Sequence, residues 1–355
     1  MIHVSCIPHA AREVYNPNMS AFANSFILTG PTACGKTALA LELAERIGGE
    51  IVALDSMTVY RGMDIGTAKP TATERARVPH HLIDVLDPWE SLTVAWWLQH
   101  AESACAEIVA RGKRPIFVGG TPFYLKALLH GLFPGPPADE TLRHSLEAEA
   151  ARDGNAALHS RLAAVDPKTA ARLHPNDLRR VVRALEVHTL TGQPISAWQQ
   201  TWDTAAFAES PQAAPAPVSI PAVVLELPRE TLYERINQRV TNMLAAGWLD
   251  EVRRLRELPQ PLSREARQAL GHRELLEYLD HGGNWEDTVA LIRTHTRQFA
   301  KRQLTWFRHL PTCVPVLADA PDSADRVLRV WADFVSGSPK VSHLYWKSDS
   351  ADAIT

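Results

Sequence analysis

The stretch Gly30-Pro31-Thr32-Ala33-Cys34-Gly35-Lys36-Thr37 constrains this chain more than any other. It meets the phosphate-loop pattern G-x-x-x-x-G-K-[ST] at every specified position. Residues 25–29 (SFILT) before it are a short apolar run, which predicts a buried strand. After it, Leu39, Leu43 and Ile47 recur every fourth residue with Ala40 and Ala44 beside them, which predicts a helix. Glycines let the backbone between strand and helix fold tightly, so that successive N–H groups form an anion nest. The helix start and Lys36 add positive charge. Thr37 would offer its hydroxyl to a magnesium ion carried by the phosphates. A plain glycine turn is disfavoured, because strand, loop, Lys-Thr pair and amphipathic helix stand in order. The loop leaves open which phosphate compound is held and whether phosphate is transferred.

A second buried strand is predicted at 50–54 (EIVAL), ending in Asp55-Ser56. Ligands of open α/β sheets sit beyond the carboxyl ends of strands. Asp55 is therefore a candidate functional carboxylate if the two strands run parallel and close together. Residues 60–70 (YRGMDIGTAKP) read as a loop over the site, and Lys69 there could contact phosphate or be solvated. A third strand is expected within 78–84. His80 and His81 do not make a metal pair, because adjacent strand residues point to opposite faces. A helix through Val94, Trp97, Ala101, Ala104 and Ile108 closes at Gly112. The strand 115–118 stops at Gly119-Gly120-Thr121, where the glycines allow close approach to a ligand and Thr121 is aimed into the crevice. A helix over 122–130 follows.

From residue 134 the character changes to helices without strands, over 139–152, 156–165 and 177–191. A helical insertion into an α/β core is the simplest account. Asn176 is the expected cap of its last helix, which carries Arg179, Arg180 and Arg183. Residues 213–217 form a linker back. A core strand resumes at 222–227, followed by a helix over 229–246 whose Arg235 and Arg239 share a face suited to polyphosphate. Helices over 249–257 and 264–279, the latter interrupted at Gly271, lead to a long helix over 285–309 capped by Asn284. The chain as a whole is acidic, with 37 Lys and Arg against 40 Asp and Glu, so any nucleic-acid surface must be local. The long helix offers one. From 293 to 308 it carries Arg293, Arg297, Lys301, Arg302 and Arg308 and no acid; Arg293, Arg297 and Lys301 make one stripe, and Phe299, Trp306 and Phe307 interleave.

The expected organisation is an N-terminal extension (1–24), a first core segment (25–133), the insertion (134–217), a second core segment with helices (218–312) and a peripheral C-terminal segment (313–355). No apolar run reaches membrane-spanning length, and the start lacks a signal-peptide pattern. Cys6, Cys34, Cys105 and Cys313 are far apart, which argues against a zinc site or disulfide framework and for a reducing cytosol.

Eight stretches together resemble one family. They are GPTACGKT (30–37), DSMTVYRGMDIGTAKP (55–70), VPHHLID (78–84), VGGTPFY (118–124), HPNDLRRVVRALE (174–186), ERINQRV (234–240), ALGHRE (269–274) and AKRQLTWFR (300–308). From about 26 to 310 the chain resembles the bacterial tRNA dimethylallyltransferases, also called tRNA isopentenyltransferases. The resemblance implies a P-loop NTPase-like parallel sheet flanked by helices, with an inserted all-helical domain. It implies transfer of a dimethylallyl group from its pyrophosphate to the N6 amine of the adenosine just 3′ of the anticodon, in a subset of tRNAs, with Mg2+. It further implies a cytoplasmic monomer whose partners are dimethylallyl pyrophosphate and the tRNA anticodon stem-loop, without a membrane.

By that resemblance Asp55 is the base, Thr121 orients the adenine, and Lys36 and Arg235 act on the leaving group. The pyrophosphate is held by Gly30, Pro31, Thr32, Ala33, Cys34, Gly35, Lys36, Thr37 and Arg235, with Thr37 on the metal. The tRNA positions in the core are Asp55, Ser56, Met57, Thr58 and Thr121. In the insertion they are Arg143, Arg179, Arg180, Val181, Val182 and Arg183. Beyond it they are Gln268, Ala269, Leu270, Gly271, His272 and Arg273, then Lys301, Arg302, Gln303, Leu304, Thr305, Trp306, Phe307 and Arg308. The chain departs from the family pattern at Thr58 and Arg179, both commonly Gln, at His272 in a G-Y-[KR] stretch, and at Cys34, usually Ser. Rival readings are a P-loop kinase or NTPase, an isopentenyltransferase acting on free adenine nucleotides, and an RNA-binding protein with a vestigial loop. The intact Lys36-Thr37 pair disfavours the last, and the basic helix disfavours the small-molecule acceptor.

Overall fold

A computed structural model of the chain describes residues 19–132, 135–199, 220–310 and 312–336. Most of the N-terminal extension, part of the 134–137 linker, the 213–217 linker and the tail after 336 lie outside the described residues. One compact unit takes in His130–Ala216 and the other Asn18–Leu129 with Pro217–Thr355, as far as the described residues reach.

The larger unit opens with β1 (Phe26–Thr29), α1 (Lys36–Ile47), β2 (Gly49–Ala53), α2 (Ala72–Arg77) and the two-residue β3 (His80–His81). It continues through α3 (Val94–Ala110), β4 (Arg114–Gly119) and α4 (Pro122–His130). The smaller unit is helical: α5 (Glu140–Asp153), α6 (Asn155–Val165), α7 (Pro167–Ala170), α8 (Leu178–Thr191) and α9 (Ile195–Trp198). The larger unit then resumes with β5 (Ala222–Glu226), α10 (Arg229–Ala245), α11 (Trp248–Arg256), α12 (Arg264–Arg267), α13 (His272–His281), α14 (Trp285–Arg308), β6 (Cys313–Leu317) and α15 (Ser323–Val335).

The six strands form one parallel sheet in the order β3-β2-β4-β1-β5-β6. Parallel strands need helical crossovers that cover both faces, which is why β1 and β2 are buried along their whole length. The apolar stripe of α1 lies in a core shared with β1, β5, β6 and α15, where Phe26 stacks on Trp331 at 4.5 Å between ring centroids. The insertion has its own core around Leu146, Leu158, Leu162, Val181 and Leu185.

The segment after 312 is not peripheral. β6 pairs with β5 from Cys313 to Leu317, and α15 buries Val327, Val330 and Trp331. Pro315 hides the strand from a propensity reading, yet it is tolerated because β6 is an edge strand. The third strand shrinks to two residues, with His80 and His81 bound to different partners, the Val78 carbonyl and Glu50. The cap of α8 is Asp177 rather than Asn176, whereas Asn284 caps α14 through Oδ1, which accepts from Asp287 N–H at 3.0 Å.

Candidate active site

Three strand ends meet at one edge of the sheet. β4 lies between β1 and β2, so the phosphate loop after β1 and Asp55 after β2 flank the Gly119-Gly120-Thr121 turn. The approach is close enough to require glycine: a Cβ on Gly119 would stand 2.0 Å from the Leu54 carbonyl oxygen. Thr121 N–H donates to the Leu54 carbonyl at 3.3 Å, and Ser56 N–H donates to Thr121 Oγ1 at 3.3 Å. The Asp55 turn and the Thr121 turn are thus fixed to one another. Asp55 Oδ1 accepts from Met57 N–H at 2.7 Å and Thr58 N–H at 3.2 Å. Its Oδ2 takes no hydrogen bond among the described residues.

Burial pushes the Asp55 carboxyl above its ordinary value, against the two amides and the charges of Lys36 and Arg239. That direction is what a carboxylate base needs, since proton transfer is most effective with a pKa nearer the working pH. Thr58, eight per cent exposed, leaves its hydroxyl without a partner beside this turn.

In the phosphate loop Ala33 (φ 66°) and Gly35 (φ 93°) are left-handed, the alternation that turns neighbouring amides to one side. Lys36 Nζ donates to the carbonyls of Gly30 at 2.9 Å and Pro31 at 2.6 Å. Burial lowers its pKa, with Arg239 acting in the same direction and Cys34 and Asp55 opposing. Thr37 is half-buried in the first turn of α1, next to the loop.

Arg235 is not at the loop. It donates to both oxygens of Asp319 at 2.8 and 3.0 Å on an exposed surface. Arg239, one turn further along α10, is the arginine whose charge acts on Asp55, Cys34 and Lys36. Both line a groove with Lys69, Arg75, Gln238 and Asn242. Lys69 follows neither reading of the sequence. Its ammonium is buried and donates to Asp64 at 2.7 Å, Asp84 at 2.5 Å and the Tyr60 carbonyl, with Arg75 also on Asp84. Paired acids are what make a buried lysine tolerable.

The residues expected to meet tRNA divide by burial. Arg179, Arg180, Gln268, Arg273, Lys301, Arg302, Thr305, Trp306 and Arg308 are exposed. Val181, Val182, Ala269 and Phe307 are core side chains, turned inward by helical periodicity, and cannot present themselves to RNA. Gly271 and His272 pack around Trp248, and a Cβ on Gly271 would lie 2.0 Å from its ring. Arg143 and Arg183 are half-buried because both bind the fully buried Glu186, at 2.9 and 2.6 Å. Arg180 pairs with Asp177 at 2.9 Å. The stripe on α14 also splits. Arg293 donates to Thr241 at 2.9 Å and Arg297 to Asn237 at 2.8 Å, both on α10, so they fasten two helices. Gln303, three per cent exposed, belongs to the floor of the crevice: Thr32 N–H donates to its Oε1 at 2.9 Å, and its Nε2 donates to the Gly120 carbonyl at 2.6 Å. The resemblance gives Gln303 as a tRNA position, whereas its amide is taken up between two loops of the core; no local pattern shows that placement or chooses Arg239 over Arg235, since both depend on which strand ends lie beneath the helix.

Among the described residues no three His, Cys, Asp or Glu side chains cluster to hold a metal. The Thr37 hydroxyl beside a phosphate loop instead fits a hard cation that keeps most of its ligands from water and phosphate. Cys34, Cys105 and Cys313 are buried free thiols. No helix among the described residues is long and apolar enough to cross a membrane.

Residues 58–310 match the family described as IPP transferase, and 23–82 match one described as isopentenyl transferase. A tRNA dimethylallyltransferase of Geobacter metallireducens is 50% identical over 282 residues, 79% of this chain and 88% of the relative. The crystal structure of a tRNA isopentenylpyrophosphate transferase from Bacillus halodurans superimposes with a TM-score of 0.63 at 38% identity, covering 90% of this chain and 99% of that one. A eukaryotic dimethylallyltransferase acting on tRNA gives 0.67 at 28% identity, covering 89% and 80%.

Proposed function

The chain belongs to the tRNA dimethylallyltransferase family, and from that premise we infer how its crevice works. It is a prenyltransferase of tRNA. It moves a dimethylallyl group from dimethylallyl pyrophosphate to the N6 amine of the adenosine 3′ of the anticodon, acting as a cytoplasmic monomer. The carrying observation is the meeting of phosphate loop, Asp55 and Thr121 at three laced strand ends.

An allylic carbon–oxygen bond breaks with positive charge on carbon and negative charge on the departing pyrophosphate. The loop amides, Lys36 and Arg239 stabilise that charge from fixed positions. The N6 lone pair forms the new carbon–nitrogen bond, and Asp55 Oδ2 takes the amine proton. Thr121 Oγ1, which already accepts from Ser56 N–H, keeps its own proton to donate to the adenine. Magnesium bound through Thr37 and the pyrophosphate would supply further neutralisation of the leaving group. An adenine within a stacked loop must be splayed out to reach this depth, and the exposed Trp306 with Lys301 and Arg302 offers stacking and phosphate contacts for the flanking RNA.

The test incubates labelled dimethylallyl pyrophosphate with unmodified tRNA, with AMP, and with no acceptor. Label is expected in tRNA alone. Label in AMP would make the acceptor a free nucleotide, and no label anywhere, with γ-phosphate lost from ATP, would make the protein a kinase or NTPase.

A further inference from the structure

Gln303 lies in the middle of α14, on the helix whose outer face exposes Lys301, Arg302 and Trp306. Its amide joins two loops that come from different strands. Oε1 accepts from Thr32 N–H in the phosphate loop, and Nε2 donates to the Gly120 carbonyl beside Thr121. Space for the amide exists only because residue 120 is glycine. A Cβ there would come within 2.5 Å of Nε2 and 3.0 Å of the Gly30 carbonyl oxygen. The helix itself is fastened to α10 by Arg293 and Arg297.

We propose that Gln303 is a positioning residue for the transfer reaction, setting the distance between the loop that holds the pyrophosphate and the turn that holds the adenine. The proposal rests on the reading of the crevice given above. The two substrates are held by separate backbone segments, so the approach of N6 to the allylic carbon depends on how those segments are spaced. An error near 1 Å at a reacting pair costs about 100-fold in rate. An amide whose oxygen and nitrogen are both taken up by the two segments fixes the spacing between them. It also ties that spacing to a helix whose outer face is exposed to RNA.

Two variants test this. Gln303→Met keeps the volume and removes both hydrogen bonds. Gln303→Glu keeps the acceptor for Thr32 N–H and, when ionised, loses the donor to Gly120. Each is compared with the wild type for melting temperature, for binding of dimethylallyl pyrophosphate and of tRNA, and for single-turnover transfer. The expected result for Gln303→Met is transfer slowed by about 10–100-fold with both affinities within a few-fold of the wild type. For Gln303→Glu the rate relative to wild type should rise as pH falls, because the protonated carboxyl regains the donor. A purely structural role would lower the melting temperature and leave both the rate of the folded protein and the pH dependence of the ratio unchanged, which overturns the proposal. If Met is not accommodated, the pH-dependent ratio of Gln303→Glu decides alone. A wild type that places no label in tRNA would overturn the reading of the crevice as well, whereas active variants beside an active wild type overturn only the role of Gln303.

Discussion

Arg235 and Arg239 lie one turn apart on α10, yet their surroundings separate them. Arg235 holds an exposed pair with Asp319, an interaction worth about 0–1 kcal/mol at most. Arg239 shares its field with Asp55 and Cys34 at the phosphate loop. Arg239→Ala should therefore lower kcat by about 100-fold or more, the usual effect of removing one preorganised charge from a transition state, while Arg235→Ala should stay within a few-fold. Steady-state kinetics on the two variants decides, and the reverse ranking would return the leaving group to Arg235. Residues whose position is set locally were legible in the sequence: the loop glycines, Lys36, Asp55 at a strand end, Thr121 after two glycines. Residues whose surroundings are set by a distant partner were not. Arg183 pairs with Glu186 three residues on, a partner within local reach, but Arg143 reaches the same buried carboxylate from α5, which no local pattern shows.

At the scale of elements, the apolar runs of β1, β2, β4 and β5 and the fourfold repeats of α1, α10 and α14 could be read directly, because burial on both faces or one stripe leaves a periodic mark. β6, α7 and α9 leave no such mark, being short or interrupted by proline. Also unforeseen was the clamp that holds the loop after β2. Glu251 of α11 accepts from the amides of Asp64 at 2.8 Å, Ile65 at 2.6 Å and Gly66 at 3.1 Å, and from His272 of α13 at 3.0 Å. Burial alone would raise its pKa, but His272 and the amides outweigh it and hold the carboxyl below the ordinary range. A carboxylate depressed in the folded state contributes stability that is present above its unfolded pKa and lost as pH falls through the folded one. Glu251→Ala should destabilise the protein by about 3–5 kcal/mol at neutral pH, the cost of breaking a buried pair. The difference from wild type should shrink below about pH 4. Urea unfolding at the two pH values checks both statements, and a constant difference would mean that Glu251 acts through packing rather than charge.

At the scale of the whole molecule, an acidic protein that binds tRNA must confine its cations. The exposed ones on α14 are led by Lys301 and Arg302, separate from Arg293 and Arg297, which fasten helices. Replacing Lys301 and Arg302 with Ala should weaken tRNA binding and reduce the magnitude of the salt slope by about 0.7–0.9 for each phosphate left without its cation. Binding of dimethylallyl pyrophosphate should be unchanged. An unaltered slope would move the tRNA-binding surface to other cations, Arg179 first among those of the insertion. The central claim is that one crevice at the carboxyl ends of β1, β4 and β2 performs the transfer, with Asp55 accepting the proton. It is tested most directly by single-turnover transfer with Asp55→Asn, run beside binding measurements for both substrates. Asn keeps the shape and one acceptor oxygen but cannot take the amine proton. The account predicts affinities near those of the wild type, a rate lower by about 100-fold or more, and loss of the acid limb expected of the wild type above the ordinary Asp range, where burial holds the Asp55 carboxyl. A variant that transfers at nearly the wild-type rate would contradict it.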